Sequence, residues 1–142
     1  MSAPSASRGS LYVVATPIGN LGDITVRAVE VLKSVSAIVA EDTRHSRTLM
    51  NHLGVTTPMT AYHEHNEARV SPRLVARMID GDSIALISDA GTPLLSDPGA
   101  RLVAAAIEAD LRVIPIPGAS ALLSALVASG ISAEQFTFLG FL

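Results

Sequence analysis

Apolar and polar positions fall in short blocks along this chain, and their period keeps switching. Residues 11–16 (LYVVAT) are an apolar, β-branched run that predicts a buried strand. The turn-forming stretch PIGNLGD (17–23) follows. Residues 24–34 then set Val26, Val29, Val31 and Leu32 against Arg27, Glu30 and Lys33, which predicts an amphipathic helix. AIVA (37–40) predicts a second strand, and the helix after it runs to His52, closed by Gly54 just past Leu53. Residues 59–62 read as a short third strand. Ser71 and Pro72 are the residue types of a helix cap and first helical position. A helix burying Leu74, Val75, Met78 and Ile79 is expected to begin there and stop at Gly81. IALI (84–87) predicts a fourth strand, and Asp97 with Pro98 repeats the helix-start signal. Residues 101–109 read as an alanine-rich helix, 113–116 as a fifth strand, and 120–129 as a small-residue helix stopped by Gly130. Residues 136–138 are expected to open one more strand.

Strands alternating with helices of roughly ten residues imply βαβ units. The fold class expected is α/β, a mostly parallel five-stranded sheet with helices on both faces. Hydrophobic residues make up 49% of the 142 but aromatic ones only 4%, so the core must be aliphatic, as in parallel sheets. Residues 1–10 (MSAPSASRGS) lack an apolar signal core and read as a flexible tail. There is no cysteine, which excludes disulfides, a thiol nucleophile and thiolate metal ligands, and fits a cytoplasmic location. No apolar run is long enough to span a bilayer, so no membrane partner is expected.

The net charge of −3 is unevenly spread. Residues 43–77 carry 5 Arg, 2 Glu and all 4 His, whereas residues 78–142 carry 2 Arg and 7 acidic residues. The total disfavours a polyanionic partner and the middle permits one; an ordinary solvated face accounts for the pattern equally well.

Candidate chemistry gathers where strands end. The loops at residues 16–22, 88–93 and 117–121 leave presumed strands at their carboxyl ends, which in open α/β sheets is where ligands bind. Together they offer glycine-lined backbone, the Asp89 carboxylate, and the hydroxyls of Thr16, Ser88, Thr92 and Ser120. That set suits a small ligand with an amine and hydroxyls; three plain βα turns would look the same by spacing. Gly-x-Gly-x-x-Gly and a phosphate-loop lysine are both missing, which argues against a dinucleotide or nucleotide triphosphate. In the cluster Glu41-Asp42-Thr43-Arg44-His45, Asp42 or His45 can serve as general base and Arg44 can hold an anion, or the cluster is simply an acidic helix start. His63-Glu64-His65 does not complete a His-Glu-x-x-His motif and has no evident third ligand, so no metal is expected. Gly118-Ala119-Ser120-Ala121-Leu122 lacks the second glycine of a nucleophile elbow.

The stretches ATPIGNLGDITVRA (15–28), AEDTRHSRTLMNHLG (40–54), YHEHNE (62–67), ALISDAGTPLLSDPGARLV (85–103) and IPGASALLSALVASG (116–130) carry a resemblance. The chain resembles the N-terminal half of the tetrapyrrole-methylase-like superfamily of S-adenosylmethionine (SAM) methyltransferases. Within it, EDTR and SDAGTP favour the members that methylate a cytidine 2′-hydroxyl of 16S ribosomal RNA. The resemblance implies that SAM is the methyl donor, bound by Pro17, Ile18, Ser88, Asp89, Thr92, Ser120 and Ala121. It implies Asp42, with His45 as the alternative, as the proton acceptor. Arg44, Arg47, Arg69, Arg73 and Arg77 would meet RNA phosphates of the 16S RNA or the small ribosomal subunit, and a homodimer is expected. On this reading residues 11–135 are the SAM-binding domain, and 136–142 begin the linker to a second domain absent from the chain. A tetrapyrrole or other small-molecule methylase, or a non-catalytic SAM-binding or dimerisation module, are the competing expectations.

Overall fold

Five strands form one sheet: β1 (Ser10–Val14), β2 (Ala37–Ala40), β3 (Met59–Ala61), β4 (Ile84–Leu86) and β5 (Arg112–Ile116). They lie in the order β3-β2-β4-β1-β5, and every neighbouring pair is parallel. The structure is a computed structural model that describes residues 7–95 and 98–140. The helices are α1 (Val26–Ser34), α2 (Thr43–Leu53), α3 (Glu67–Ile79), α4 (Ala100–Glu108) and α5 (Ala121–Ala128).

The strand order dictates the layers. The chain steps from β1 toward the β3 edge through α1 and α2, then returns toward the β5 edge through α3 and α4. Right-handed crossovers running in opposite directions must lie on opposite faces. Two separate cores follow. On one face Ala28, Leu32 and Met50 of α1 and α2 pack with Val14, Ile38, Ala40, Ala85 and Ile116. On the other, Val70, Leu74, Met78, Leu102 and Ala106 of α3 and α4 pack with Leu11, Val39, Ile84 and Leu86. Alternate residues of one strand thus serve different cores. Every residue of the inner strands β2 and β4 is buried, which is why both read as unbroken apolar runs. The edge strands β3 and β5 are less buried, and Pro115 is tolerated in β5 because that strand pairs on one side only.

Helix ends follow local chemistry. Thr25 caps α1 through its hydroxyl, which accepts the Ala28 amide at 3.0 Å. Gly54 closes α2 in the left-handed region at φ 69°, as a C-terminal glycine should. A single 3₁₀ turn (Leu21–Asp23) precedes α1, so the helix expected from residue 24 begins two residues later.

Four expectations are corrected. Helix α3 starts at Glu67, not after Ser71, and Pro72 lies inside it. The carbonyl freed by the missing proline N–H belongs to Ala68, which like Pro72 is exposed, so water can satisfy it. Ser71 is buried and spends its hydroxyl on Tyr62 Oη, 2.9 Å away. Helix α4 begins at Ala100 with Gly99 as cap at φ 130°, two residues later than a Pro98 start; Asp97 lies outside the described residues. The tail does not reach residue 10: the Gly9 amide donates to the Met78 carbonyl (2.8 Å), the Ser10 amide to Ser83 Oγ (3.1 Å), and Arg8 to the Ala109 carbonyl (2.9 Å). Residues 136–138 are not a strand. Among the described residues no helix is long and apolar enough to cross a membrane.

Candidate functional site

The carboxyl ends of β2, β4, β1 and β5 stand side by side, so the segments that leave them form a row. Strands β4 and β1 are neighbours, yet their onward helices α4 and α1 lie on opposite faces. A crevice must open where adjacent connections diverge in this way. Its walls are locked by specific contacts. Thr16 and Gly91 form an isolated antiparallel bridge beyond the strand ends. Thr92 Oγ1 donates to the Ala119 carbonyl at 3.0 Å, tying the β4 loop to the β5 loop. On the far side His45 Nε2 lies 3.1 Å from the Asp89 carbonyl oxygen. A glycine is needed at position 91: φ is +80°, and an added Cβ would come within 3.1 Å of Ile18 Cγ2.

The cleft enclosed has a volume of about 200 Å³ and is bordered by Ile18, Gly91, Thr92, Leu95, Ser120, Leu122 and Phe138. Four of the residues expected to contact a donor line it: Ile18, Thr92, Ser120 and Ala121. Pro17 lies in the same loop beside Ile18 without lining the cleft. Asp89 is exposed and does not line the cleft, although the next residue, Ala90, does; its carbonyl is turned to His45. Ser88 does not line the cleft either. It is buried, and its hydroxyl donates inside its own loop to the carbonyls of Ala90 (3.1 Å) and Gly91 (3.3 Å), so it shapes the loop. The Ser120 hydroxyl caps α5 by accepting the Leu123 amide at 3.2 Å.

Sequence reasoning missed Leu95, Leu122 and Phe138. Phe138 carries a signal, being one of only 3 Phe, but its neighbours read as a strand opening. One further feature lies beside this region, in the loop that carries Ile18. Thr16 is 1% exposed, and its Oγ1 has no hydrogen-bond partner among the described residues. Buried hydroxyls are rarely left so, because the lost hydration costs about 1–3 kcal/mol.

Asp42 and His45 come together at the start of α2. The two readings of this cluster meet in one residue: Asp42 is the helix cap, its Oδ1 accepting the amides of Arg44 (3.0 Å) and His45 (3.2 Å). Both side chains are exposed. Oδ2 makes no hydrogen bond to a described residue.

The five arginines do not form one surface. Arg44 and Arg47 are exposed on α2, whereas Arg69, Arg73 and Arg77 form an i, i+4, i+8 stripe on α3, on the opposite face of the sheet. Helix α3 runs away from the cleft edge at about 1.5 Å per residue, so only Arg69 stays near it. Arg77 is paired with Asp82 at 2.9 Å. His63 and His65 are in edge-to-face ring contact, with centroids 5.9 Å apart. Among the described residues no group of three or more His, Cys, Asp or Glu is placed to hold a metal ion.

Residues 10–140 match the family described as Tetrapyrrole (Corrin/Porphyrin) Methylases. The chain is 54% identical, over its whole length and 50% of the relative's, to a protein of Xylella fastidiosa named ribosomal RNA small subunit methyltransferase I. It is 57% identical to the protein of that name from a Synechocystis species, over 94% of this chain and 48% of the relative. The chain thus spans about half the length of the curated relatives it matches. The uroporphyrin-III-C-methyltransferase of Thermus thermophilus shares the fold, with a TM-score of 0.65 at 23% identity over 90% of this chain and 55% of that one. With its parallel sheet, its crevice at the strand ends and a family match over nearly every residue, the chain belongs to the tetrapyrrole (corrin/porphyrin) methylase family.

Proposed function

We propose that the chain is the donor-binding part of a SAM-dependent methyltransferase that modifies a cytidine 2′-hydroxyl in 16S ribosomal RNA. The observation that carries this is the cleft built by the loops after β4, β1 and β5, in a chain more than half identical to proteins named for small-subunit RNA methylation. The residues present fit SAM. The Asp89 carboxylate, one residue before the lining Ala90, suits its ammonium group, and the apolar walls at Ile18, Leu95, Leu122 and Phe138 suit its adenosine and thioether-like carbons. Gly91 lets a ligand approach the backbone, and Thr16 Oγ1 is a hydroxyl in need of a partner. When bound, SAM supplies a methyl group already activated by the sulfonium charge.

The chain's own tasks are then alignment, exclusion of water and removal of one proton. We assign Asp42 Oδ2 to accept the proton of the 2′-hydroxyl as the oxygen–methyl bond forms. Arg44, Arg47 and Arg69, near the cleft edge, are the arginines we assign to RNA phosphates, which position the substrate without reading sequence. Arg73 and Arg77 lie further down α3 and are left to a peripheral role. The substrate would be the 16S RNA or the small subunit in the cytoplasm.

The test is transfer of labelled methyl from SAM to small-subunit RNA by the protein at its full natural length, followed by mapping of the modified nucleotide. Label on a cytidine ribose supports the reading. Label found only on a tetrapyrrole or another small molecule rejects it.

A further inference from the structure

The His45 ring reaches across the row of loops. Its Nε2 lies 3.1 Å from the Asp89 carbonyl oxygen, a contact between residues 44 apart in sequence. A carbonyl can only accept, so Nε2–H is the donor in this contact. The β2–β4 ladder ends nearby, at the bond from the Ile87 amide to the Val39 carbonyl (3.0 Å). Beyond that point the two chains part toward opposite faces, and the His45 contact carries the connection onward. The His45 backbone is itself fixed, because Asp42 Oδ1 accepts its amide at 3.2 Å. The result is a short chain of donors and acceptors: Asp42 holds His45, and His45 holds the Asp89 peptide.

The other flank of the β4 loop is already secured. Ser88 bonds back into the loop, Gly91 is bridged to Thr16, and Thr92 is tied to Ala119. Asp89 and Ala90 are the exposed residues between these anchors. Without His45 the Asp89 peptide would be held only through its neighbours. We propose that His45 is a positioning residue: its Nε2–H pins the Asp89 peptide and so holds in place the loop after β4, whose Ala90, Gly91 and Thr92 line the cleft, and it is not the proton acceptor. The consequence for donor binding rests on the reading of this cleft as the donor site; the pinning does not.

Glutamine at position 45 separates the two roles, because it offers an amide N–H at similar reach but has no basic nitrogen. The protein at its full natural length is compared as wild type, His45→Ala and His45→Gln. In ligand-free protein, hydrogen exchange over residues 85–95 should quicken about fivefold in His45→Ala and return to within about twofold of wild type in His45→Gln, the scale of one ordinary hydrogen bond. With SAM, His45→Ala should raise the dissociation constant and the donor KM by a similar factor and change kcat less, and His45→Gln should restore both. A proton acceptor predicts the opposite: Ala and Gln alike lose kcat and leave KM in place. Unchanged loop exchange in His45→Ala, or a His45→Gln protein as impaired as His45→Ala, overturns the proposal. If exchange behaves as expected but wild-type protein shows no calorimetric binding of SAM, the donor reading falls and the pinning stands.

Discussion

Thr16 and Gly91 exchange both of their backbone hydrogen bonds, amide to carbonyl at 2.9 Å one way and 3.0 Å the other. The pair closes the ends of β1 and β4 where their connections separate, and it depends on a residue that accepts φ +80°. Gly91→Ala should therefore lower stability by about 1–2 kcal/mol, the usual cost of a left-handed L-residue. The new methyl also presses on Ile18, so SAM affinity should fall with it. Urea unfolding gives the first number and calorimetry the second. Wild-type values for both would show that the bridge does not shape the cleft.

Asp89→Asn removes a charge and keeps the shape. Asp89 is exposed, so the loss of donor affinity should sit at the low end for a charge-assisted hydrogen bond, about 1 kcal/mol or roughly fivefold. Titration calorimetry at low and high salt checks it. Undiminished affinity at both would take Asp89 out of the site.

Asp42 has two tasks that substitution can split. Asparagine caps helices as well as aspartate does, so Asp42→Asn should keep wild-type stability, whereas Asp42→Ala should lose about 0.5–2 kcal/mol with the two amide contacts. If Oδ2 accepts the proton, both variants lose methyl transfer and bind SAM nearly normally. Asp42→Asn with wild-type turnover would leave Asp42 as a cap and nothing more.

Tyr62 provides a pH signature remote from the cleft. It is 1% exposed, and burial raises its phenol above the ordinary value of 10.0, with Glu67 adding to the rise while the Ser71 hydrogen bond opposes it. A raised pKa means that the folded state holds this proton more tightly than the unfolded chain. The related stability is fully present below pH 10 and is lost as pH climbs from the unfolded value through the folded one. Phenolate absorbance from Tyr62 should therefore appear at higher pH than that of an exposed tyrosine. Appearance near pH 10 in protein that is still folded would contradict the burial argument.

Helix α5 buries none of its residues, and Leu123, Val127, Ile131 and Leu139 are 52%, 76%, 74% and 71% exposed. Phe141 and Leu142, which belong to the same apolar stretch, lie outside the described residues. An apolar face of this kind favours association, and a two-fold pair is the commonest outcome. The 142-residue chain should scatter light as a dimer or larger at micromolar concentration, and Val127→Asp should reduce its mass. A strictly monomeric mass for the unsubstituted chain counts against the expected homodimer.

Elements whose signals are local were legible in the sequence. Strand β2 has the bounds its four apolar residues suggest, and Gly54 stops α2 where expected. Position within a helix was harder to read. Ser71 and Pro72 mimic a helix start, but the Tyr62–Ser71 contact and an outward-facing Pro72 let α3 run straight through them. The true start, Asn66, makes no side-chain cap; it donates to the Ala61 carbonyl and accepts the His63 amide, a turn that composition does not reveal. For the site, strand ends were enough to nominate Thr92 and Ser120, whereas Ile18 and Ala121 came from the family resemblance alone. What could not be read were contacts between distant segments: His45 with Asp89, Thr92 with Ala119, and the return of Phe138 to the cleft. The separation of Arg44 from Arg73 by the thickness of the sheet is likewise a property of topology and invisible in local charge.

Each face of the sheet carries its own core, and the backbone between them acts as a partition. Side chains of α2 and those of α4 never share a cluster. Changes that soften one layer are therefore insulated from the other, and the two can drift or be redesigned independently. The contact between His45, borne by the first layer, and Asp89, whose loop leads into the second, is a stitch across that partition. A protein divided in this way can retune its two layers separately, so long as the stitch holds them in register.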